Sequence, residues 1–168
     1  MVDFFIVGFG NTLRSDDGLG SYLVETIENQ SFPDSAFVRK VCLPQLDITL
    51  VTSLAEVDVA IFVDVRDDGD PEMVRINRVL PNDKYHLPHT THQIDLPDLL
   101  SITETLYGRL PICYLVKSKG FDFSFSEKFP KNAVRTAGLA QESIYRLLRI
   151  HCDEPIPSLI QDADCNGF

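Results

Sequence analysis

The chain has no tryptophan, two methionines and a clear minority of cations: 15 Lys and Arg against 25 Asp and Glu in 168 residues. Affinity for nucleic acid or an anionic membrane rests on cations that neutralise phosphate. A formal net charge of −10 therefore counts against both as main partners. No apolar run approaches the roughly 18 residues that a bilayer span needs. The opening stretch has no basic region and meets Gly8 and Gly10 too early for a signal peptide. The four cysteines, Cys42, Cys113, Cys152 and Cys165, form no Cys-x-x-Cys pair. That argues against a zinc ribbon, an iron–sulfur cluster or a thioredoxin-type centre, and the expected compartment is a reducing cytoplasm. Cys113 lies in an apolar run, where a free thiol behaves as a small hydrophobe.

What is present is an alternation of apolar runs and helical periodicities in a chain of one-domain length. Residues 4–7 form a continuous apolar run, the pattern of a strand covered on both faces. Leu19, Tyr22, Leu23 and Ile27 then recur at helical spacing. Phe37, Val38, Val41 and Cys42 predict a second strand. Leu46, Leu50 and Leu54, with Pro44 near the first turn, predict a second helix. Residues 57–65 predict a buried strand ending at Asp64, and residues 73–80 an edge strand. A helix is expected after Asp95 through Leu96, Leu99, Leu100 and Leu106, and a further strand over residues 112–116. Ala133, Ala137, Ala140, Ile144 and Leu148 line one face of a long last helix. The expected fold class is α/β: one domain over residues 1–152, a mostly parallel sheet of about five strands with helices on both faces. Residues 153–168, acidic and without a basic residue, are expected to form a loosely docked tail.

In such sheets the ligand site lies beyond the carboxyl ends of the strands. Three features fall there: Gly8-Phe9-Gly10-Asn11-Thr12-Leu13-Arg14-Ser15-Asp16-Asp17-Gly18-Leu19-Gly20, the strand-end Asp64, and a loop with His86, His89 and His92. A dinucleotide fingerprint fails, because Leu13 occupies the third glycine position and two acids stand where a pyrophosphate would sit. A P-loop fails for want of Gly-Lys-Ser/Thr, and no Gly-x-Ser-x-Gly elbow supports a serine nucleophile. Asp16 is expected to cap the following helix. Capping needs only one acid, which leaves Asp17 as the better site residue. Asp64 either caps its own turn or serves as a ligand or catalytic carboxylate. His86 and His89 read as exposed loop histidines, since Pro88 and the three-residue spacing do not put all three on one helical face. His92, closest to the next element, is the better candidate; with two carboxylates it would make an open nitrogen/oxygen metal site.

The Gly-x-Gly-Asn-x-Leu-x-x-Asp-Asp-Gly-x-Gly segment resembles the signature of the maturation endopeptidases of nickel–iron hydrogenases. Ile61-Phe62-Val63-Asp64 and Thr91-His92-Gln93 agree with that family in order and position over about the first 150 residues. The resemblance implies a cytoplasmic α/β enzyme that cuts a C-terminal extension from the hydrogenase large-subunit precursor after nickel insertion. It also implies that Asp17, Asp64 and His92 form a metal-binding and catalytic trio. The nickel would be supplied by the precursor, with no permanently bound cofactor, and the enzyme is expected to be a monomer. Val41-Cys42-Leu43-Pro44-Gln45-Leu46-Asp47 departs from the Asp-Gly-Gly-Thr-like segment of many members; Gln45-Leu46 is closer to the branch serving bidirectional, NAD-linked hydrogenases. Water activation by the metal and by a carboxylate both fit these residues. Two rivals remain: a nickel-sensing chaperone that binds the precursor without cutting it, and a zinc hydrolase of small molecules using the histidine loop.

Overall fold

The computed structural model describes residues 1–82, 94–126 and 129–153. His86, His89, His92, Cys165 and residues 154–168 of the expected tail lie outside these. The elements run β1 (Val2–Phe9), α1 (Leu19–Thr26), β2 (Ala36–Leu43), α2 (Leu50–Ala55), β3 (Val59–Arg66), β4 (Val74–Val79), α3 (Leu96–Tyr107), β5 (Ile112–Lys119) and α4 (Lys131–His151). They build one five-stranded sheet in the order β2-β1-β3-β5-β4. β1 pairs in parallel with β2 and β3, and β3 with β5. β4 alone runs antiparallel, on the outer side of β5. The expected α/β class, and the edge position of the strand over residues 73–80, both hold.

Apolar side chains on alternate positions of the central strands feed two separate cores, one on each face. Phe4, Ile6, Ile61, Val63 and Val116 pack with Leu19, Leu23, Ile144 and Leu148 of α1 and α4. Phe5, Val7, Ala60, Phe62 and Cys113 pack with Leu50, Leu54, Leu99 and Leu100 of α2 and α3. Burial pushes the Cys113 thiol up to about 12, so it serves as packing, as its apolar run implies.

Two local expectations are corrected. The helix over Leu46, Leu50 and Leu54 begins only at Leu50, because Asp47 turns the chain first: its carboxylate accepts the Thr49 amide at 2.8 Å. Leu46 is thereby left in the loop ahead of the helix. The central strand does not stop at Asp64 but continues to Arg66, with Asp64 in register opposite Lys117. The start of α3 is as read: the Asp95 side chain accepts the Asp98 amide at 2.9 Å, and the helix ends at Gly108 in the left-handed region.

Candidate functional site

The glycine-rich segment after β1 brings backbone against backbone. A Cβ on Gly8 would lie 2.6 Å from the Gly20 carbonyl oxygen, and one on Gly20 would lie 2.7 Å from that of Val63. The start of α1 therefore rests directly on the ends of β1 and β3. Gly10 has φ +138°, and a Cβ there would fall 1.9 Å from the Asp17 carbonyl oxygen. The glycines spend their missing side chains on this fit, which is why the segment carries glycines without being a dinucleotide fingerprint.

Within the loop the Asn11 side chain accepts the Leu13 amide at 3.0 Å, and the Arg14 amide donates to the Asn11 carbonyl at 3.0 Å. Ser15 follows at φ +46°, a left-handed conformation unusual for a residue with a side chain. The turn delivers the two acids to different environments. Asp17 is half-buried, and its Oδ2 accepts the Asn11 amide at 2.9 Å. Asp16 is fully buried and does not cap α1, whose start has no side-chain cap. Its Oδ2 instead accepts the amides of Phe121 at 2.6 Å and Asp122 at 3.0 Å. Its backbone amide donates to the Asp122 carbonyl, and that of Ser15 to the Ser126 carbonyl. Asp16 thus pins the segment after β5 to the loop that carries Asp17. Asp16 Oδ1 is buried without a hydrogen-bond partner among the described residues.

Asp64 reaches the same place from β3. Its Oδ1 accepts the Val65 amide at 2.8 Å. Burial pushes its carboxyl above the ordinary range, and the negative charge of Asp17 adds to that rise; the Val65 amide and Lys117 oppose it. A carboxyl held this way takes and returns a proton more readily near neutrality than a solvated one, the property required of a general acid or base.

Asp17 and Asp64 line one cleft of about 460 Å³ beyond the carboxyl ends of β1 and β3. Phe9, Pro44, Gln45, Leu46 and Ile94 form its walls, and Asp95 stands at its edge. Two of the three expected site residues therefore meet; the third, His92, lies outside the described residues. Among the described residues, no group of three or more His, Cys, Asp and Glu side chains is placed to hold a metal ion. The Gln45-Leu46 segment, whose role the sequence left open, is a cleft wall. In the sequence Asp95 stands out only as the residue before a helix, and the pin at Asp16 leaves no local signal, because its partners lie about a hundred residues away.

No protein-family model and no curated protein matches the chain. Solved structures match it over most of its length. The nickel–iron hydrogenase maturation protease HycI from Thermococcus kodakarensis is 20% identical with a TM-score of 0.65, covering 88% of this chain and 93% of its own. The hydrogenase maturating endopeptidase HybD from E. coli is 21% identical with a TM-score of 0.67, covering 89% and 93%. A hydrogenase 2 maturation peptidase from a Thaumarchaeota archaeon is 20% identical with a TM-score of 0.60, covering 87% and 97%. This chain shares their fold.

Proposed function

We propose that this protein is an endopeptidase that removes the C-terminal extension from the nickel-loaded large-subunit precursor of a nickel–iron hydrogenase. The observation that carries the reading is the meeting of Asp17 and Asp64, from separate elements, in one open cleft at the carboxyl end of the sheet. The fold it shares with hydrogenase maturation peptidases supports the same reading. His92 joins the two carboxylates as third member on the strength of the sequence motif.

In this account the precursor's tail lies in the cleft as an extended chain. Asp17 is held in place by the Asn11 amide and presents its other carboxylate oxygen to the substrate. Asp64, with its raised proton affinity, receives a proton from the attacking water and returns one to the departing amine. Asp17, Asp64 and His92 also engage the nickel that the precursor carries. The complete site then exists only when the correct, loaded substrate has arrived, and specificity comes from assembly of the site rather than from a deep pocket. The enzyme acts as a cytoplasmic monomer with the precursor as its protein partner. No helix among the described residues is long and apolar enough to cross a membrane.

The test compares nickel-loaded and nickel-free precursor incubated with the same enzyme. The loaded form is expected to lose a defined C-terminal peptide, and the nickel-free form to stay intact at any enzyme concentration. Equal cleavage of both would remove nickel from the account, and stable binding of the loaded form without any change in its mass would favour the chaperone role.

A further inference from the structure

A second groove adjoins the candidate cleft and is not used by the chemistry above. It has a volume of about 310 Å³ and lies between the loop from Gly10 to Leu13, the Ser21 and Glu25 side of α1, and the end of β2. The two depressions share Gly10 and Pro44, so they adjoin across that ridge. Leu13, Leu43 and Pro44 supply its apolar lining, beside the polar Asn11, Thr12 and Ser21 and the Cys42 thiol. Cys42 donates to the Ser21 carbonyl at 3.4 Å.

Glu25 is the one charged side chain in this lining. It is exposed and forms no ion pair or hydrogen bond with the described residues. Its charge reaches into the groove, since together with burial it raises the Cys42 thiol. Lys40 also acts on that thiol; its ammonium donates to the Ile27 carbonyl at 2.8 Å and forms no ion pair with Glu25. A groove with an apolar stretch at Leu13, Leu43 and Pro44, and with one carboxylate that forms no ion pair with the described residues, suits a long side chain with an aliphatic stem and a cationic head.

We propose that this groove is a peptide subsite, in which Glu25 recognises a lysine or arginine of the substrate strand running on from the catalytic cleft. The inference rests on the peptidase reading. Glu25 follows Asp17 by eight positions, mostly along α1, which at helical rise places it about 12 Å away. An extended strand covers that in roughly four residues. The recognised cation therefore belongs to a position several residues from the scissile bond, not to the residue at the cut.

The experiment measures KM and kcat for processing of the nickel-loaded precursor by wild type, Glu25→Gln and Glu25→Lys. Parallel precursors have each lysine or arginine near the scissile bond replaced in turn by glutamate. Glu25→Lys is expected to raise KM at least about tenfold, the loss of one charged hydrogen bond, with kcat unchanged. Glu25→Gln is expected to have a smaller effect in the same direction. One glutamate-bearing precursor should process poorly with wild type and recover with Glu25→Lys. An unchanged KM in Glu25→Lys, or the absence of any rescued position, overturns the proposal. Fluorescence anisotropy of a labelled lysine-bearing peptide from the same region separates the two claims. If wild type leaves the precursor intact, the peptidase reading fails. The subsite then stands if Glu25→Lys weakens peptide binding, and falls if binding is equal.

Discussion

Asp64→Asn is expected to lower processing of the nickel-loaded precursor by about 10²- to 10⁴-fold, the usual contribution of a positioned acid–base group, while raising Tm at neutral pH. The two effects share one cause. Asp64 sits where burial and the charge of Asp17 disfavour its ionised form by more than the Val65 amide and Lys117 favour it, so the wild-type fold carries a net cost whenever Asp64 is charged. Asparagine keeps the shape and can accept the same Val65 amide, but never ionises. The sign follows from linkage. An aspartate in the unfolded chain titrates at about 3.9, and folding raises Asp64 above that value. Below both values the carboxyl is protonated in either state and the variant gains nothing. Between them stability drains from wild type as pH rises, and above both the difference is constant. Thermal melts from pH 3 upward should therefore show the Tm advantage of Asp64→Asn opening with rising pH and then levelling off. A Tm that falls at neutral pH would mean that the charge of Asp64 supports the fold, and would remove the basis for its proton affinity.

Gly10→Ala is the substitution with the largest expected effect on the fold. At φ +138° an alanine is strained whatever the space, and its methyl would fall 1.9 Å from the Asp17 carbonyl oxygen. That neighbour is backbone, already fixed by the contacts of Gly20 against Val63 and of Asp16 against the segment after β5. It has little freedom to retreat. A loss of about 3 kcal/mol is expected, or roughly 6–12 °C in Tm for a domain of this size. Gly69→Ala provides the control: φ there is +73°, but nothing lies within 4 Å of the added carbon. Its cost should be limited to the milder backbone strain of the left-handed region, and the difference between the two melts measures the collision at Gly10 together with the greater strain of φ +138°. Equal Tm losses would show that the loop yields easily, and would weaken the case that it holds Asp17 rigidly.

Much of this arrangement is legible in the chain because it is written locally. The apolar run at residues 4–7 and that ahead of Asp64 announce strands covered on both faces. The parallel order follows from the helices between them. The pairing of Asp17 with Asp64 follows from a general rule of such sheets, that strand ends converge on one side. What local pattern does not carry is the assignment of the two adjacent acids. Both lie at the start of a helix, and capping is the cheapest use of an acid there. Asp16 goes instead to amides of Phe121 and Asp122, distant in sequence, and no periodicity encodes that contact. Leu46 misleads in a similar way: its four-residue spacing to Leu50 and Leu54 is genuine, but the turn made by Asp47 intervenes and leaves it as a cleft wall. The glycine segment attracts a phosphate-binding reading through its composition, whereas its glycines are consumed by contact with the Gly20, Asp17 and Val63 carbonyls.

The central claim is that this cleft cuts a peptide bond and that Asp17 takes part. The measurement that tests it most directly is the intact mass of a nickel-loaded large-subunit precursor, before and after incubation with wild type and with Asp17→Asn. The account predicts loss of one defined C-terminal peptide with wild type and an unchanged precursor with Asp17→Asn, whose circular dichroism matches wild type. An unchanged mass with wild type and a cognate precursor, or equal cleavage by a folded Asp17→Asn, would contradict it.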